Sequence, residues 1–309
     1  MNIVFFGSDD FAVASLKALL ASRHKVVSCV TPPDKPQGRG LNMAFCAVKQ
    51  YALDHNLPYL QPSSLKTDLT LEALKAFDAD LFVVVAYGRL LTQEVLNIPK
   101  IFCVNVHGSL LPQYRGAAPI NWAILHGQKT TGVTVQKMVL GLDAGDSIVQ
   151  EKVSIGAHET AVQLRERMAH VGGKILVRAL DQIAAKQYKL TPQDETKVTL
   201  APKLTKDLGK IDWSKSAGHI YNQIRGLQPW PGAFTTYQGK MLKIIKVEIT
   251  NIDSSAHKPG LAMVLDKHGF TVATADKWLL IQEVHPEAGK VMSAVSFMAG
   301  YKIGGNCFL

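Results

Sequence analysis

The sequence LFVVVA, residues 81–86, indicates the fold of this chain more directly than any other stretch. A continuous apolar run of this kind is typical of a strand that is buried on both faces, as in a parallel sheet covered by helices. Strand-like and helix-like segments alternate around it throughout residues 1–187. This alternation predicts an α/β fold with a doubly wound, mostly parallel, Rossmann-like sheet.

The pattern changes after residue 187. Residues 188–207 have little periodicity and contain Thr-Pro and Ala-Pro steps, which are typical of a linker. One helix near 216–226 and several short strands punctuated by Gly, Asp and Lys then follow, up to a turn-rich tail. The sequence therefore predicts an α/β domain over 1–187, a linker over 188–207, and a small antiparallel barrel of the oligonucleotide-binding type over 208–309.

The composition restricts the class of protein. No apolar run approaches the roughly 18 residues that a membrane span requires, and the first residues predict a strand rather than a signal peptide. The four cysteines, Cys29, Cys46, Cys103 and Cys307, are widely separated and form no CxxC pair. We therefore expect free thiols in a reducing cytoplasm. The net charge of +9 favours a polyanionic partner.

Polar side chains follow the next apolar run along the chain. Asn105 and His107 come at the end of Ile101–Val104, and residues two apart in a strand face the same way. The carboxyl end of a strand in an open α/β sheet is where ligands bind. Asp143 follows in another glycine-rich turn. We expect these three side chains to share one site.

An amide, an imidazole and a carboxylate suit acyl transfer to an amine. Asn105 and a protonated His107 can donate to the oxyanion that forms on a carbonyl under attack, and such a donor typically lowers the barrier by about 2.7–4 kcal/mol. Asp143 can orient His107 or take a proton from the amine. The alternative is that Asn105 and His107 only satisfy buried backbone groups, and spacing alone leaves both interpretations open.

Other familiar catalytic patterns are missing from the sequence. The first turn, Gly7-Ser8-Asp9, lacks GxGxxG, and its acidic residues would repel a pyrophosphate. The chain contains no P-loop, HExxH or GxSxG motif. We therefore predict direct transfer without a covalent enzyme intermediate and without a metal.

Two groups of basic residues are candidates for contacts with nucleic acid. Lys35 and Arg39 lie in Pro32–Asn42, which is predicted to be a projecting loop. Lys240 and Lys243 have the spacing that would line one side of a bent strand. A solvated surface remains the alternative for both groups.

The segments Asn105–Pro112, Tyr114–Ile120, Gly132–Thr134 and Gly141–Asp146 resemble the signature of folate-dependent formyltransferases. The resemblance runs nearly from end to end. Three later segments and one loop resemble the branch of the family that acts on initiator tRNA: Ile211–Trp213, Leu227–Phe234, Gly300–Lys302 and the loop 33–40.

This resemblance implies that 10-formyltetrahydrofolate donates a formyl group to the α-amine of methionyl initiator tRNA. It implies catalytic roles for Asn105, His107 and Asp143. The candidates for folate binding at the same sheet edge are Ser109, Leu110, Leu111, Pro112, Tyr87 and Gly88. The candidates for tRNA binding are Lys35, Arg39, Lys240 and Lys243. We expect a monomer that does not bind membranes.

Two other functions remain open at this point. One is a related folate enzyme that formylates a nucleotide-sugar amine or a small ribonucleotide, although a small substrate does not need a basic second domain. The other is an RNA-binding protein without catalytic activity, against which the intact Asn105, His107 and Asp143 argue. The stretch Leu41–Cys46 departs from the family, which usually has lysines there.

Overall fold

The computed structural model describes residues 1–37, 42–265, 269–303 and Phe308. The chain divides into two compact units. The first comprises 1–119, 131–154 and 165–201, and the second comprises 120–130, 155–164 and 202–309. Residues 188–201, the larger part of the predicted linker, thus belong to the first unit.

The first unit is built around a mixed β-sheet. Its strands and short strand pairs are β1 Asn2–Gly7, β2 Lys25–Val30, β3 Lys35–Gln37, β4 Asn42–Ala44, β5 Tyr59–Leu60, β6 Leu81–Val85, β7 Phe102–His107, β8 Arg115–Gly116, β9 Thr130–Lys137, β10 Ser147–Ser154 and β11 Leu200–Ala201. Among the described residues, seven of these form one sheet in the order β10-β9-β7-β6-β1-β2-β5. This confirms the predicted Rossmann-like α/β fold.

The run that indicated the fold is the central strand of this sheet. β6 is buried along its whole length and pairs in parallel with β1 on one side and with β7 on the other. β7 in turn pairs antiparallel with β9. The carboxyl end of β7 therefore lies between a parallel and an antiparallel neighbour, and β9 can present side chains to it.

Helices alternate with these strands along the chain. Their bounds are α1 Asp10–Leu20, α2 Ala47–Asp54, α3 Asp68–Lys75, α4 Gln93–Leu96, α5 Pro119–Leu125 and α6 Ala161–Ala184. The carboxylate of Asp9 accepts a hydrogen bond from the N–H of Ala12 and caps α1. Asp9 thus stabilises the positive end of a helix, which gives the acidic residue in this turn a structural role.

Two parts of the first unit differ from the sequence prediction. The stretch Pro32–Asn42, predicted to be a loop, contains β3, which pairs antiparallel with β4. β8 pairs in parallel with β11, and Thr191 pairs with Ser147. Strands of two or three residues carry too little periodicity to be recognised in a sequence, because their pairing depends on partners elsewhere in the chain.

The second unit contains an antiparallel sheet. In its part 202–309, the described regular elements are a 3₁₀ helix Lys206–Gly209, α7 Ala217–Gly226, β12 Ala233–Tyr237, β13 Lys240–Asp253, β14 Ala262–Leu265, β15 Gly269–Ala273, β16 Lys277–Pro286, β17 Met292–Ser293 and α8 Ala294–Gly300. Over the described residues, the strands follow the order β12-β13-β16-β15-β14, and β17 pairs with β16. The predicted antiparallel C-terminal domain is confirmed.

Side chains from both helices and the sheet fill the core of this unit. Trp213, Ile220, Phe270, Ile281 and Phe297 are all buried in one apolar cluster. α8 was missed in the sequence, where the tail was predicted to consist of turns. Its seven residues are too few for a periodic signal, and its stability comes from the Ser293 cap and the buried Phe297 ring.

Candidate active site

Strand β7 places Asn105 and His107 on one face at its carboxyl end, as the two-residue period predicts. The antiparallel neighbour β9 sets Gln136 opposite Asn105 and Thr134 opposite His107. His107 is buried and Asn105 half-buried. Two polar residues of β9 therefore belong to the same site.

The imidazole of His107 lies between two protein oxygens. Its Nε2 lies 2.8 Å from the carbonyl oxygen of Tyr114, and its Nδ1 lies 3.5 Å from Oδ1 of Asp143. A carbonyl oxygen only accepts hydrogen bonds, so Nε2 carries a proton. The structure therefore brings His107 and Asp143 together and directs Nδ1 toward the carboxylate, where a proton can be held between them.

The carboxylate of Asp143 is fixed by two further donors. The N–H of Gly116 donates to Oδ2 at 2.9 Å, and Nε2 of Gln136 donates to Oδ1 at 3.0 Å. The backbone of Asp143 has φ +48°, in the left-handed region that L-residues rarely adopt. Such a conformation persists only where surrounding contacts impose it.

Two buried amide oxygens in the site have no hydrogen-bond partner within the described part of the chain. They are Oδ1 of Asn105 and Oε1 of Gln136. A buried acceptor without a partner costs about 1–3 kcal/mol, so both retain capacity for a ligand. Each of these oxygens could accept a hydrogen bond from an N–H group of an amine.

The segment Ser109–Pro112 is held by hydrogen bonds to residues outside it. The hydroxyl of Ser109 donates to the carbonyl oxygen of Gln113 at 2.5 Å. The hydroxyl of Thr134 donates to the Ser109 carbonyl at 2.6 Å and accepts from the Leu111 N–H at 3.1 Å. Gln150 donates to the Leu111 carbonyl at 2.7 Å. These contacts fix the shape of the segment and engage the proton of the Ser109 hydroxyl within the protein.

Tyr87 and Gly88 follow the central strand at the same sheet edge. The Tyr87 ring is buried in the core and meets the Phe6 ring edge-on, with 5.4 Å between ring centroids. Burial raises the pKa of Tyr87, and its hydroxyl has no partner among the residues described. Gly88 has φ +76°, which favours glycine at this turn.

The basic candidates are placed less favourably. Arg39 lies outside the described residues, and for Lys35 the structure describes only the backbone, in β3. Lys240 and Lys243 belong to a continuous register of β13 opposite β12. Residues three apart in such a strand point to opposite faces, so the prediction that these two lysines share one face is wrong. Lys243 Nζ instead donates to the carbonyl of Pro231 at 3.3 Å.

Sequence reasoning did not identify the residues that hold the site together. Gln136 and Thr134 lie in β9, and their roles depend on its register with β7. Gln193 donates to the backbone carbonyls of Asp143 and Gly145. The alternation of β9 could have placed Thr134 and Gln136 on one face, but nothing local in the sequence connects Gln193 with Asp143.

No group of three or more His, Cys, Asp or Glu residues in the described ranges has a geometry that would hold a metal ion. None of the helices described combines the length and apolar character that crossing a membrane requires.

Comparison with known proteins defines the class. The family model described as "Formyl transferase" matches residues 1–180, and the model for "Formyl transferase, C-terminal domain" matches residues 203–302. Together they cover most of the chain, which is therefore a two-domain formyl transferase.

Curated relatives define the family more narrowly. The methionyl-tRNA formyltransferase of Alkaliphilus oremlandii is 44% identical over 304 residues, which cover 98% of this chain and 97% of the relative. That of Moorella thermoacetica is also 44% identical, over 97% of this chain and 96% of the relative. This chain belongs to the methionyl-tRNA formyltransferase family.

Solved structures share the fold at lower identity. WlaRD, described as a sugar 3N-formyl transferase in the presence of dTDP and 5-N-formyl-THF, is 20% identical with a TM-score of 0.68, over 91% of this chain and 97% of that one. HypX of Aquifex aeolicus in complex with tetrahydrofolic acid is 17% identical with a TM-score of 0.64, over 99% of this chain and 48% of that one.

Proposed function

We propose that this protein transfers the formyl group of 10-formyltetrahydrofolate to the α-amino group of methionyl initiator tRNA. The observation that carries the proposal is the His107–Asp143 pair beside the Asn105 amide, at the carboxyl end of β7, in a member of this family. The amine nitrogen forms a bond to the formyl carbon, and the bond from that carbon to N10 of the folate breaks.

In this reaction, one side chain would stabilise the negative charge on the oxygen, and a pair of side chains would accept the proton of the amine. The Asn105 amide can donate to the oxygen that becomes negative in the tetrahedral intermediate, while its Oδ1 can accept from the amine. The amine loses one proton and N10 gains one, so no net acid or base is consumed. In this proposal the His107–Asp143 pair receives the amine proton, because Nδ1 and Oδ1 already face each other.

The folate donor is proposed to lie against the segment Ser109–Pro112 and the turn at Tyr87 and Gly88. The hydrogen bonds of Thr134 and Gln150 support this segment, because they hold its backbone in one shape before a ligand arrives. A surface that is already ordered loses less entropy on binding.

The acceptor is proposed to be a tRNA, bound in part by the second domain, 208–309, while the domain predicted over 1–187 carries the chemistry. A net charge of +9 supports a polyanionic partner. Lys35, Arg39, Lys240 and Lys243 are proposed to contact phosphates, with Lys240 and Lys243 acting from opposite faces of β13. We further propose that the protein is a monomer that acts in the cytoplasm.

The test is to incubate the purified protein with 10-formyltetrahydrofolate and methionine-charged initiator tRNA, and to measure formyl-methionine after hydrolysis of the ester. Charged elongator methionine tRNA serves as the control. Product on the initiator alone supports the proposal. Formylation of a nucleotide-linked amino sugar, with none of either tRNA, would move the acceptor to a small amine and contradict it.

A further inference from the structure

Gln193 uses every hydrogen-bonding group of its side chain inside the first unit. Its Nε2 donates to the carbonyl oxygens of Asp143 and Gly145, both at 2.7 Å. Its Oε1 accepts from Nε and Nη2 of Arg115, at 3.0 and 2.9 Å. Turning the amide by 180° would set its oxygen against two carbonyls and its NH₂ against a guanidinium. The orientation of Gln193 is therefore determined by its partners.

The guanidinium of Arg115 has further partners besides Gln193. The side chain is buried, and Nη2 and Nη1 donate to the two carboxylate oxygens of Glu195 at 2.7 and 3.2 Å. Paired donors of this kind fix the plane of the guanidinium. Arg115 thus offers Gln193 a buried donor whose orientation is also set by its pairing with Glu195.

This support is continuous with the groups that hold the catalytic pair. The residue before Arg115, Tyr114, accepts a hydrogen bond from His107, and the residue after it, Gly116, donates to the carboxylate of Asp143. Gln193 joins the same three-residue segment to the backbone of Asp143. The side chain of Asp143 is therefore bonded directly to the segment Tyr114–Gly116, and its main chain is connected to the same segment through Gln193.

We propose that Gln193 is a positioning residue for formyl transfer, which holds the turn at Asp143 so that the carboxylate stays against Nδ1 of His107. The expected effect on kcat rests on the proposed function, whereas the expected effect on the turn at Asp143 does not. The turn needs such support because Asp143 has φ +48°, a conformation that relaxes when outside contacts are removed. Gln193 acts through Asp143 and does not touch the reacting atoms.

The test compares Gln193→Glu with the wild type in formylation of charged initiator tRNA. The glutamate keeps an acceptor for Arg115 and replaces the NH₂ by an oxygen that repels both carbonyls. We expect kcat to fall by about 100-fold, as small misplacements of catalytic groups do, with the KM values for folate donor and tRNA changed less than about threefold. Gln187→Glu, at an exposed position of the same segment, adds the same charge and is the matched control.

A second readout needs no substrate. Hydrogen exchange of the Gly116 amide reports its bond to Asp143, and we expect exchange at least about tenfold faster in Gln193→Glu, while amides of the central strand keep their rates. Wild-type kcat or unchanged Gly116 exchange in Gln193→Glu would overturn the proposal. If the wild type formylates no tRNA, the proposed function fails, and the Gly116 exchange still decides the role of Gln193.

Discussion

Nδ1 of His107 and Oδ1 of Asp143 lie 3.5 Å apart, although one residue ends a strand and the other belongs to a separate turn. On its other side the His107 ring is held by the carbonyl of Tyr114. The imidazole can therefore neither rotate nor withdraw without losing a contact. Such a pair is organised before substrate arrives, which is what proton transfer at a fixed position requires.

Thr134→Val tests how much the Thr134 hydroxyl contributes to holding the segment Ser109–Pro112, which is proposed to bind the folate donor. The Thr134 side chain is fully buried and bonds to Ser109, Leu111 and Gln150. Loss of these bonds should lower the free energy of unfolding by about 1–3 kcal/mol and raise the KM for the folate donor. Urea unfolding and steady-state kinetics measure the two effects.

Thr131→Val is the matched control on the same strand. The Thr131 hydroxyl is also buried, but it has no partner among the described residues. Replacing an unpaired buried hydroxyl by a methyl group should leave stability unchanged or raise it. Equal destabilisation by the two substitutions would show that lost hydrogen bonds are not the cause.

Two cysteines should be inert in the folded protein. Burial raises the pKa of the Cys29 thiol and of the Cys103 thiol to about 12, so almost no thiolate forms at pH 8. Mass spectrometry after iodoacetamide treatment should find neither residue alkylated, whereas the half-buried Cys46 reacts. Labelling in urea should modify all three, and rapid labelling of Cys29 or Cys103 without urea would refute the expectation.

Lys49→Met tests the partly buried ion pair between Lys49 and Asp34, the residue that precedes β3. Lys49 Nζ lies 2.5 Å from Oδ2 of Asp34, and Gln61 donates to Oδ1. Hydrogen bonds from Gln61 and Lys49 lower the pKa of Asp34 below its ordinary value. A lowered pKa in the folded state stabilises the protein above the pKa of the unfolded state, and this contribution is lost as the pH falls through the folded value.

We therefore expect Lys49→Met to unfold at lower urea concentration than the wild type at pH 7, with the difference narrowing as the pH falls below the range in which Asp34 is charged. Lys100→Met removes an exposed ion pair with Asp78 and should change little. If the difference in the urea concentration of unfolding between wild type and Lys49→Met stayed constant down to pH 2, the ion pair would not contribute to stability.

The sequence was sufficient for the main features of the fold, because these depend on local periodicity. The run at Leu81–Ala86 predicted a strand buried on both faces, and that strand is central in the sheet. β3, β4 and α8 were not predicted. Each is short, and each is stabilised by pairing or by burial of a side chain such as Phe297, which only the folded chain provides.

The same distinction applies to the site. Asn105 and His107 could be paired from the two-residue period of one strand. The donors that hold Asp143 could not be predicted from the sequence. The contact of Gln136 depends on strand register, and Gln193 bonds to backbone carbonyls far away in the chain. A sequence does not identify which backbone carbonyl a side chain will bond to, since every residue has one.

The measurement that tests the account most directly is the single-turnover rate of formyl transfer to charged initiator tRNA in wild type and Asp143→Asn. The amide keeps the size of the side chain but removes the negative charge that faces His107. We predict a rate about 100- to 10,000-fold below wild type, the usual contribution of a positioned acid or base, with folate and tRNA binding retained. A rate within threefold of wild type would contradict the assignment of the proton to the His107–Asp143 pair.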